Sequence, residues 1–566
     1  MADGDAESAG GTPRLVAAAT FATSFLPVLF DYLSGGKWRH LHYLAGDAYY
    51  YLLIARNAWR HGAITYDGET PTNGFHPLWQ LTEIAAFPLA WAFGDGYLEA
   101  ALLGAFFATL LLASVALAVV AWVASRHCPR AAFLLPALPA GVYTAMAYRD
   151  AGSQATLWMQ ANGMESALGM ALFAVLLVLL CRGPFRLGAT AMGTTLGLLV
   201  LSRLDLIFVP LALGIVALPG AMRSRAEFRS LAITTAVTAA IVGAYLLVNV
   251  GYAGSALPVS GAAKTTFPDL NLGTLGRAIN YFAQPEILRA DYRKRTAQLV
   301  IPLLFALAWL IVYLAIQWRG RDARATMWGR ALVVCHLSVV LRHGYDLCFV
   351  HVIHTDYWYY PISQVIVFLG ALWLVERALG RWAPGFRPAT APAVLGVCAL
   401  EAVVFMLTIW REPTNYPYAA SLWESRESIV AHFGDAPPRM LEMEDGILGY
   451  TLGFPALSAT GLSLDREGAE ARSRGQLLDY AWQRGFRTLA ITPRYLDFAR
   501  VADGMSAEQA TTLLRGRFDW MRREREYGFA LEYLSQDGSV AFFAITQDEL
   551  PAKRQKKEVT TENREK

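Results

Sequence analysis

The residues best suited to chemistry follow the first apolar segment of this sequence. The run GDAYYYLLIARNAWRHG (46–62) places one acid, Asp47, ahead of three tyrosines, and the polar turn TNGFHPLW (72–79) follows closely. Asp47 is placed to cap a helix over residues 48–61 that ends at Gly62. At the mouth of a cavity, the same carboxylate could act as a general base that takes a proton from an attacking hydroxyl. Capping and catalysis do not exclude each other.

A structural interpretation of this stretch competes with the catalytic one. Apolar residues recur along one side of the predicted helix, and Arg56 stands on a more polar side. Such a helix is expected to lie along a membrane surface, with its tyrosines in an interfacial belt. The prolines and glycine of the following turn would by themselves require a turn there.

Further ionisable residues stand near the ends of apolar segments, where each costs several kcal/mol unless it is paired or hydrated. Glu165 begins one segment. Arg203 and Asp205 end another, and they could simply pair with each other. Lys264 is the lone cation best placed to meet a phosphate, although a solvated loop lysine would look the same. Glu401 lies inside the last apolar segment and is expected to face another helix.

The sequence gives little indication of a metal site. His351, His354 and Asp356 precede the aromatic run YWYYP, and an interfacial belt explains them better than a metal does. The cysteines show no metal-ligand spacing and are interpreted as small buried apolar residues. They are Cys128, Cys181, Cys335, Cys348 and Cys398.

Long apolar runs dominate the rest of the chain. Of 566 residues, 55% are hydrophobic and 17% charged, and the mean hydropathy is +0.32; a soluble domain carries about 25% charged residues. Many runs reach the roughly 20 residues that a helix needs to cross a bilayer, without the alternation of barrel strands. The sequence therefore predicts a polytopic α-helical membrane protein with a bundle of about 11–12 transmembrane helices. A net charge of +3 does not favour a nucleic-acid partner.

Short arginine-rich loops predict which side of the membrane each connection occupies. They place the first loop (34–77), the long loop 252–297 and the part beyond residue 410 on the extracytoplasmic side. Residues 78–95 are apolar but short, and contain Glu83 and Pro88, so they could either cross or dip in and return. The arginine-rich loops, predicted to be cytoplasmic, are 125–130, 181–186, 221–229, 317–324 and 376–382.

Composition divides the chain into four parts. Residues 1–14 form a polar cytoplasmic segment, and residues 15–410 form the transmembrane domain. Residues 411–550 have the patterning of one small extracytoplasmic α/β domain, in which Asp445 is interpreted as structural. Residues 551–566 are a charged tail, predicted to be disordered.

The first loop resembles the first extracytoplasmic loop of bacterial GT-C membrane glycosyltransferases. The likeness rests on DAYYYLLIARN (47–57) and YDGETPTNGFHPLW (66–79), which form a long and specific pattern. The segments NGMES, SRLDL and LPVSGAAK also look like motifs of the bacterial branch, which is related to the protein mannosyltransferases and the lipid A aminoarabinose transferase. The resemblance covers residues 1–410 and extends to the outward domain that such enzymes often carry.

This resemblance implies a GT-C-like fold and transfer of a sugar from a polyprenyl-phosphate donor to a hydroxyl of a lipid, glycan or protein acceptor. In that class the aspartate that starts the first-loop helix is the general base, which assigns the role to Asp47. Oligosaccharyltransferase-type members hold a divalent metal with paired acids. Gly46 stands where many relatives have the second acid, so no metal or other cofactor is expected. Direct displacement assisted by one base predicts inversion at the sugar.

The resemblance also implies supporting roles for other residues. Fixed cations would stabilise the departing phosphate, with Arg56 as a further candidate if its helix turns it inward. An acid such as Glu165 could bind sugar hydroxyls, and the polar turn could shape the acceptor pocket. The predicted substrate-binding residues are Glu165, Arg203, Asp205, Lys264, Arg56, Asn73 and His76.

Two other classes of protein are compatible with the same sequence. A transporter or lipid flippase would explain the helices, and a continuous polar path across the bundle would favour it. A non-catalytic membrane scaffold would use the outward domain to bind a partner, and a deep acid-lined pocket beside Asp47 would count against it.

Overall fold

The computed structural model of the chain combines a helical bundle with a smaller C-terminal α/β domain that packs on one end of the bundle. The structure describes residues 4–141, 156–182, 188–284, 287–319, 327–351, 357–386, 390–410, 417–444, 446–461, 463–497, 501, 505–518, 520–521, 524 and 526–547.

Long apolar sequences form the helices of the bundle. Among the described residues, eight helices are long and apolar enough to cross a membrane, and two shorter apolar helices, α5 and α6, accompany them. This confirms a polytopic helical membrane protein. The helices are α1 (Gly4–Ser34), α2 (Gly46–His61), α3 (Pro77–Ala86), α4 (Tyr97–His127), α5 (Ser166–Arg182), α6 (Ala189–Ser202), α7 (Phe208–Ala221), α8 (Arg225–Ala253), α9 (Val259–Lys264), α10 (Leu272–Ala283), α11 (Ala290–Arg319), α12 (Met327–Phe349), α13 (Pro361–Trp382) and α14 (Thr390–Thr408).

The ambiguous segment 78–95 forms two successive short helical pieces instead of one regular α-helix. Its first part is α3, whose ten residues span only about 15 Å at 1.5 Å per residue. A 3-10 helix, Phe87–Gly96, follows, with a kink at Gly94, where φ is 58° and ψ is −129°. The chain then enters α4, which is long enough to cross.

The C-terminal domain is a five-stranded sheet flanked by short helices. The strand order is β2-β1-β3-β5-β4; β1 pairs in parallel with β2 and β3, and β5 pairs antiparallel with β3 and β4. This confirms the predicted α/β domain, in which β4 and β5 form a hairpin. The elements are α15 (Pro417–Phe433), β1 (Met440–Glu442), α16 (Ile447–Leu452), β2 (Ala456–Ser458), α17 (Arg466–Arg474), α18 (Leu477–Gln483), β3 (Thr488–Ile491), α19 (Ala507–Arg517), β4 (Tyr527–Leu534) and β5 (Ala541–Gln547).

The domain and the first loop share one hydrophobic core. Side chains of α2, α3 and α4 pack in the same buried cluster as side chains of α15, α16 and the sheet. At Gly446, where φ is 89°, an added Cβ would collide with the backbone of Tyr50. The buried Glu442 accepts hydrogen bonds from the Tyr66 hydroxyl and from the backbone N–H groups of Gly446, Leu448 and Gly449. The C-terminal domain therefore presses directly on α2.

Basic loops gather at the opposite end of the bundle. The Arg130 guanidinium lies 3.0 Å from the Glu376 carboxylate, and Glu376 also accepts the backbone N–H groups of Arg130 and Ala131. The His127 ring stacks on Trp328 with centroids 5.1 Å apart. Two of the arginine-rich loops therefore lie together, far along the bundle from the C-terminal domain.

Candidate functional site

The first-loop helix begins two residues earlier than predicted, at Gly46 instead of residue 48. Ala45 is the N-cap residue of α2, and its N–H donates to the Asn162 carbonyl at 3.0 Å. Asp47 is therefore not the cap; it is the second residue of the helix, where a carboxylate is stabilised by the N-terminal partial charge. The helix ends, as predicted, at Gly62 in the left-handed conformation, with φ at 69°.

The three tyrosines of α2 are buried in the protein and do not form the interfacial belt that the structural interpretation predicted. Tyr49, Tyr50 and Tyr51 are all 5% exposed or less, because the C-terminal domain covers the face that an isolated helix would expose. Within the run 46–57, every residue is buried except Asp47, which is partly exposed. An accessible carboxylate within a run of otherwise buried residues is the feature expected of a group that contacts substrate.

The NGMES turn packs against the start of α2. Gly163 has a φ of 71°, and a Cβ there would lie 2.8 Å from the Cβ of Ala48, so only glycine fits. This close approach brings Glu165 beside α2. The Tyr51 hydroxyl donates to Oε2 of Glu165 at 3.1 Å.

Glu165 anchors a buried chain of alternating charges. Its Oε1 lies 2.7 Å from a terminal nitrogen of Arg203, which also donates to the Trp358 carbonyl at 2.9 Å. The other edge of the Arg203 guanidinium holds Asp205 at 2.9 and 3.2 Å. Asp205 also pairs with Arg342 of α12. Arg203 and Asp205 thus do pair with each other, within a larger network.

His76 joins this network from the polar turn. Its backbone N–H donates to the Tyr51 hydroxyl at 3.2 Å, and its Nε2 lies 3.7 Å from Oε1 of Glu165. Burial lowers the pKa of His76 to about 4. The ring is therefore neutral at physiological pH and is a polar wall of the site rather than a cation.

Lys264 ends the short helix α9 and faces the same region. Its Nζ donates to the Tyr359 hydroxyl at 2.5 Å and lies 5.3 Å from the centroid of that ring, over which Arg203 is also placed at 4.7 Å. Burial would lower the pKa of Lys264, but the Tyr359 hydroxyl and the Asp47 carboxylate outweigh it, so the pKa lies above its usual value. Lys264 is a charged group within electrostatic range of Asp47.

A second acid, Glu444 of the C-terminal domain, lies within electrostatic range of Asp47. Glu444 is buried and accepts hydrogen bonds from the hydroxyls of Tyr418 at 2.6 Å and Thr492 at 3.0 Å. Burial raises the pKa of Glu444; Arg494 opposes the rise, and the nearby Asp47 carboxylate adds to it. The domain therefore forms one wall of the site.

Two predicted substrate-binding residues lie elsewhere. Arg56 is 4% exposed, and its guanidinium donates to the carbonyls of Tyr450 and Gly449 at 3.4 and 3.5 Å. It therefore binds carbonyl groups of α16 instead of facing a phosphate. Asn73 is 1% exposed; its amide binds Ser255, Leu257 and Val259. It fixes the segment that leads to Lys264 and does not face an acceptor.

Sequence reasoning missed four residues of this region: Tyr51, Arg342, Tyr359 and Glu444. An arginine inside an apolar helix is unusual, so Arg342 could have been singled out from the sequence. The role of Glu444 could not, because it depends on how the two parts of the chain dock.

A metal-binding role finds no support in the ligand geometry. Among the described residues, no three acid, histidine or cysteine side chains lie close enough together to hold a metal. His351 Nδ1 contacts the Asn271 amide at 2.9 Å, whereas His354, Asp356 and Asp445 lie outside the described residues.

Comparison with solved structures finds similarities at low identity, among them an oligosaccharyltransferase and ArnT. No protein-family model matches this chain, and no curated protein matches it. An oligosaccharyltransferase from Archaeoglobus fulgidus, tethered to an acceptor peptide containing the NVT sequon, is 13% identical, with a TM-score of 0.49 over 96% of this chain and 74% of that chain. ArnT from Cupriavidus metallidurans in the apo state is 14% identical, with a TM-score of 0.49 over 95% and 98%. Similarity at this level concerns the course of the chain, so function is argued from the site geometry alone.

Proposed function

We propose that this protein is a membrane glycosyltransferase that moves a sugar from a polyprenyl-phosphate donor to an acceptor hydroxyl on the extracytoplasmic face, with inversion. The observation that carries the proposal is the presence of a partly exposed acid, Asp47, and a partly exposed cation, Lys264, within electrostatic range of each other at one end of the bundle. Sugar transfer from a phosphate needs both groups: a base for the hydroxyl and a positive charge for the departing phosphate.

The proposed reaction is a single displacement. Asp47 takes the proton of the acceptor hydroxyl as its oxygen forms a bond to the anomeric carbon. The bond from that carbon to the phosphate oxygen breaks on the opposite face, and its electron pair stays on the phosphate. Lys264 stabilises the charge that develops there, because one of its three ammonium protons is held by Tyr359 and the other two are available.

Arg203 has a positioning role in this proposal. Four of its five N–H donors are already bound, to Glu165, Trp358 and twice to Asp205. Its guanidinium and Lys264 share the ring of Tyr359, so the buried network holds the cation in place. Glu165 is bound by Arg203 and Tyr51, and its remaining lone pairs, together with Asp205 and the neutral His76, would line the sugar pocket.

The positions of the arginine-rich loops support the proposed side of the membrane. The site lies at the end of the bundle that carries the C-terminal domain, whereas the Arg130 and Glu376 region lies at the other end. Arginine-rich loops face the cytoplasm in membrane proteins. The site and the domain are therefore assigned to the extracytoplasmic face, where they would meet a lipid-linked donor and a lipid, glycan or protein acceptor.

A substitution at Asp47 tests the proposal. Purified wild-type protein is incubated with a panel of polyprenyl-phosphate sugars and a membrane extract as acceptor, and release of polyprenyl phosphate is measured. Asp47→Asn is expected to lower the rate about 100-fold or more, because removal of a general base costs on this order. Asp95→Asn, at an exposed acid between α3 and α4, is the matched control. Wild-type turnover by folded Asp47→Asn would refute the base assignment.

A further inference from the structure

A cavity of about 740 Å³ lies beneath α2 and α3, between α1 and α4. Its walls are mostly apolar and come from both sides of the cleft, including Phe93, Leu103 and Phe107. The volume is within the range of roughly 300–1,000 Å³ that is typical of small-molecule sites. Leu89 and Phe93 line the cavity and are themselves exposed, so the cavity opens on an apolar part of the protein surface.

One carboxyl group lines this cavity without a protein partner. Glu83 of α3 is 6% exposed, and its carboxylate forms no hydrogen bond or ion pair with any described residue. A buried carboxyl group left unpaired costs several kcal/mol, so it is retained where a ligand satisfies it. Its natural complement is a hydrogen-bond donor carried by the molecule that fills the cavity.

The cavity is separate from the site of the proposed reaction. Asp47, Glu165, Arg203 and Lys264 do not line it; α2 and α3 contribute their other faces through Leu52 and Trp79. Helix α3 nevertheless connects the two, because His76 precedes its first residue and Glu83 lies about two turns further on.

The geometry points to a bound lipid: we propose that this cavity holds a membrane lipid whose chain packs on the apolar walls and whose ammonium or hydroxyl group donates to Glu83. The lining of the cavity offers contacts to both the acyl chain and the headgroup of such a lipid. Lys37 stands at the rim, and its Nζ lies 3.4 Å from the Glu99 carboxylate. An exposed ion pair of this kind is weak, so Lys37 can also bind a headgroup phosphate.

The chain offers a matched pair of variants that separates filling of the cavity from damage to the fold. Gly104 of α4 lines the cavity, and a Cβ added there meets no atom within 4 Å. Gly243 of α8 is equally unobstructed but lies outside the cavity. Gly104→Phe should occupy the space, whereas Gly243→Phe adds the same side chain elsewhere. Glu83→Ala removes the acceptor, and Glu83→Gln keeps the shape without the charge.

The test uses the full-length protein in vesicles that contain trace photoactivatable phosphatidylethanolamine, phosphatidylglycerol or phosphatidylcholine, with the reactive group in the acyl chain. We expect labelling of peptides from α3 and α4 by the ethanolamine or glycerol lipid, and little by phosphatidylcholine, which has no headgroup donor. Gly104→Phe should abolish this labelling and Gly243→Phe should not. Glu83→Ala should weaken it about tenfold, and Glu83→Gln by an intermediate amount, because a hydrogen bond to a charged group is lost.

Two results would overturn the proposal. Equal labelling of Gly104→Phe and Gly243→Phe would show that the lipid does not occupy this cavity. Equal labelling by all three lipids, unchanged in Glu83→Ala, would show that Glu83 does not bind the headgroup. Neither result depends on glycosyl transfer, so the lipid site and the proposed activity can fail independently.

Discussion

At the scale of single residues, the two cations of the site differ in what remains available to a ligand. Arg203 is 2% exposed and is held on both edges by acids, whereas Lys264 is partly exposed and is held by one tyrosine. A guanidinium with its donors in use fixes geometry, and an ammonium with free donors can respond to charge that develops in a reaction.

Lys264 is therefore expected to control the rate of transfer. Lys264→Met should lower the rate of donor cleavage by roughly 100-fold or more, the usual cost of removing one electrostatic contact to a developing charge. Lys264→Arg keeps the charge and should retain much more activity. The measurement is the rate of polyprenyl-phosphate release at saturating donor, with the unfolding midpoint as a check on folding. Equal rates for Lys264→Met and Lys264→Arg would show that charge at this position does not matter.

Protonation of His76 should link stability to pH. Burial lowers its pKa from an unfolded value near 6.5 to about 4, and His40 is lowered to a similar value. Between these pH values the unfolded chain binds protons that the folded chain does not, so stability falls as the pH drops from 6.5 to 4, by roughly 3 kcal/mol for each histidine. His76→Asn should remove the contribution of His76 to this dependence, measured as a smaller change of the unfolding midpoint across the pH range than in the wild type.

The matched control for this pH effect is His61→Asn, which removes an exposed imidazole at the end of α2. The slope measured for this variant is the reference with which the slope of His76→Asn is compared. If His76→Asn and His61→Asn had the same slope as the wild type, the neutral state of His76 would not be linked to folding.

The sequence predicts a site residue well when the residues around it are close to it in the chain, and poorly when they come from a distant part of the chain. Glu165, Arg203, Asp205 and His76 stand at the ends of apolar segments, and the structure brings them together because those ends meet at one level of the bundle. Arg56 was misplaced because its surroundings come from the C-terminal domain, about 390 residues later in the chain. Helical phase alone could not show which face that domain covers.

At the scale of elements, α2 is a helix clamped between the bundle and the domain. The NGMES turn holds its first turn at Ala48, and α16 presses on Tyr50 and receives Arg56. An apolar stripe predicts one buried face, and here a second partner buries the rest. The strands β1 and β2 escaped prediction for a different reason, since three residues are too few to show alternation.

A substitution at Gly446 tests how far the site depends on the contact between α2 and the C-terminal domain. Gly446→Ala forces a side chain against the Tyr50 backbone and places alanine at a φ of 89°, so it should destabilise the domain contact by about 2 kcal/mol or more. The expected result is a lower unfolding midpoint, together with faster proteolysis between α14 and α15. Transfer activity should fall in parallel, because Glu444 and Asp47 are brought together by the same contact.

Gly434→Ala is the control for backbone strain alone. Gly434 also has positive φ, 59°, but an added Cβ there meets no atom within 4 Å. It should cost only about 1 kcal/mol and leave activity intact. A Gly434→Ala variant as inactive as Gly446→Ala would mean that the domain contact is not what the site requires.

At the scale of the whole molecule, polar and apolar surroundings are separated along the bundle. Buried acids and cations collect at the end beneath the C-terminal domain, whereas a large apolar cluster of α4, α5, α12 and α13 fills the part toward the basic loops. Among the described residues, this arrangement suits a reaction at one face better than a polar path across the membrane, which a transporter would need.

Sidedness is the prediction on which the choice of donor and acceptor depends. The positive-inside rule places the 221–229 loop in the cytoplasm and the C-terminal domain outside. Single cysteines are introduced at two exposed positions, Ser473→Cys in α17 and Arg223→Cys in that loop, after the five native cysteines are replaced. In intact cells, a membrane-impermeant maleimide should label Ser473→Cys and should reach Arg223→Cys only after permeabilisation. The reverse pattern would put Asp47 and Lys264 on the cytoplasmic face, where activated nucleotide sugars are available, and a lipid-linked donor would no longer be required.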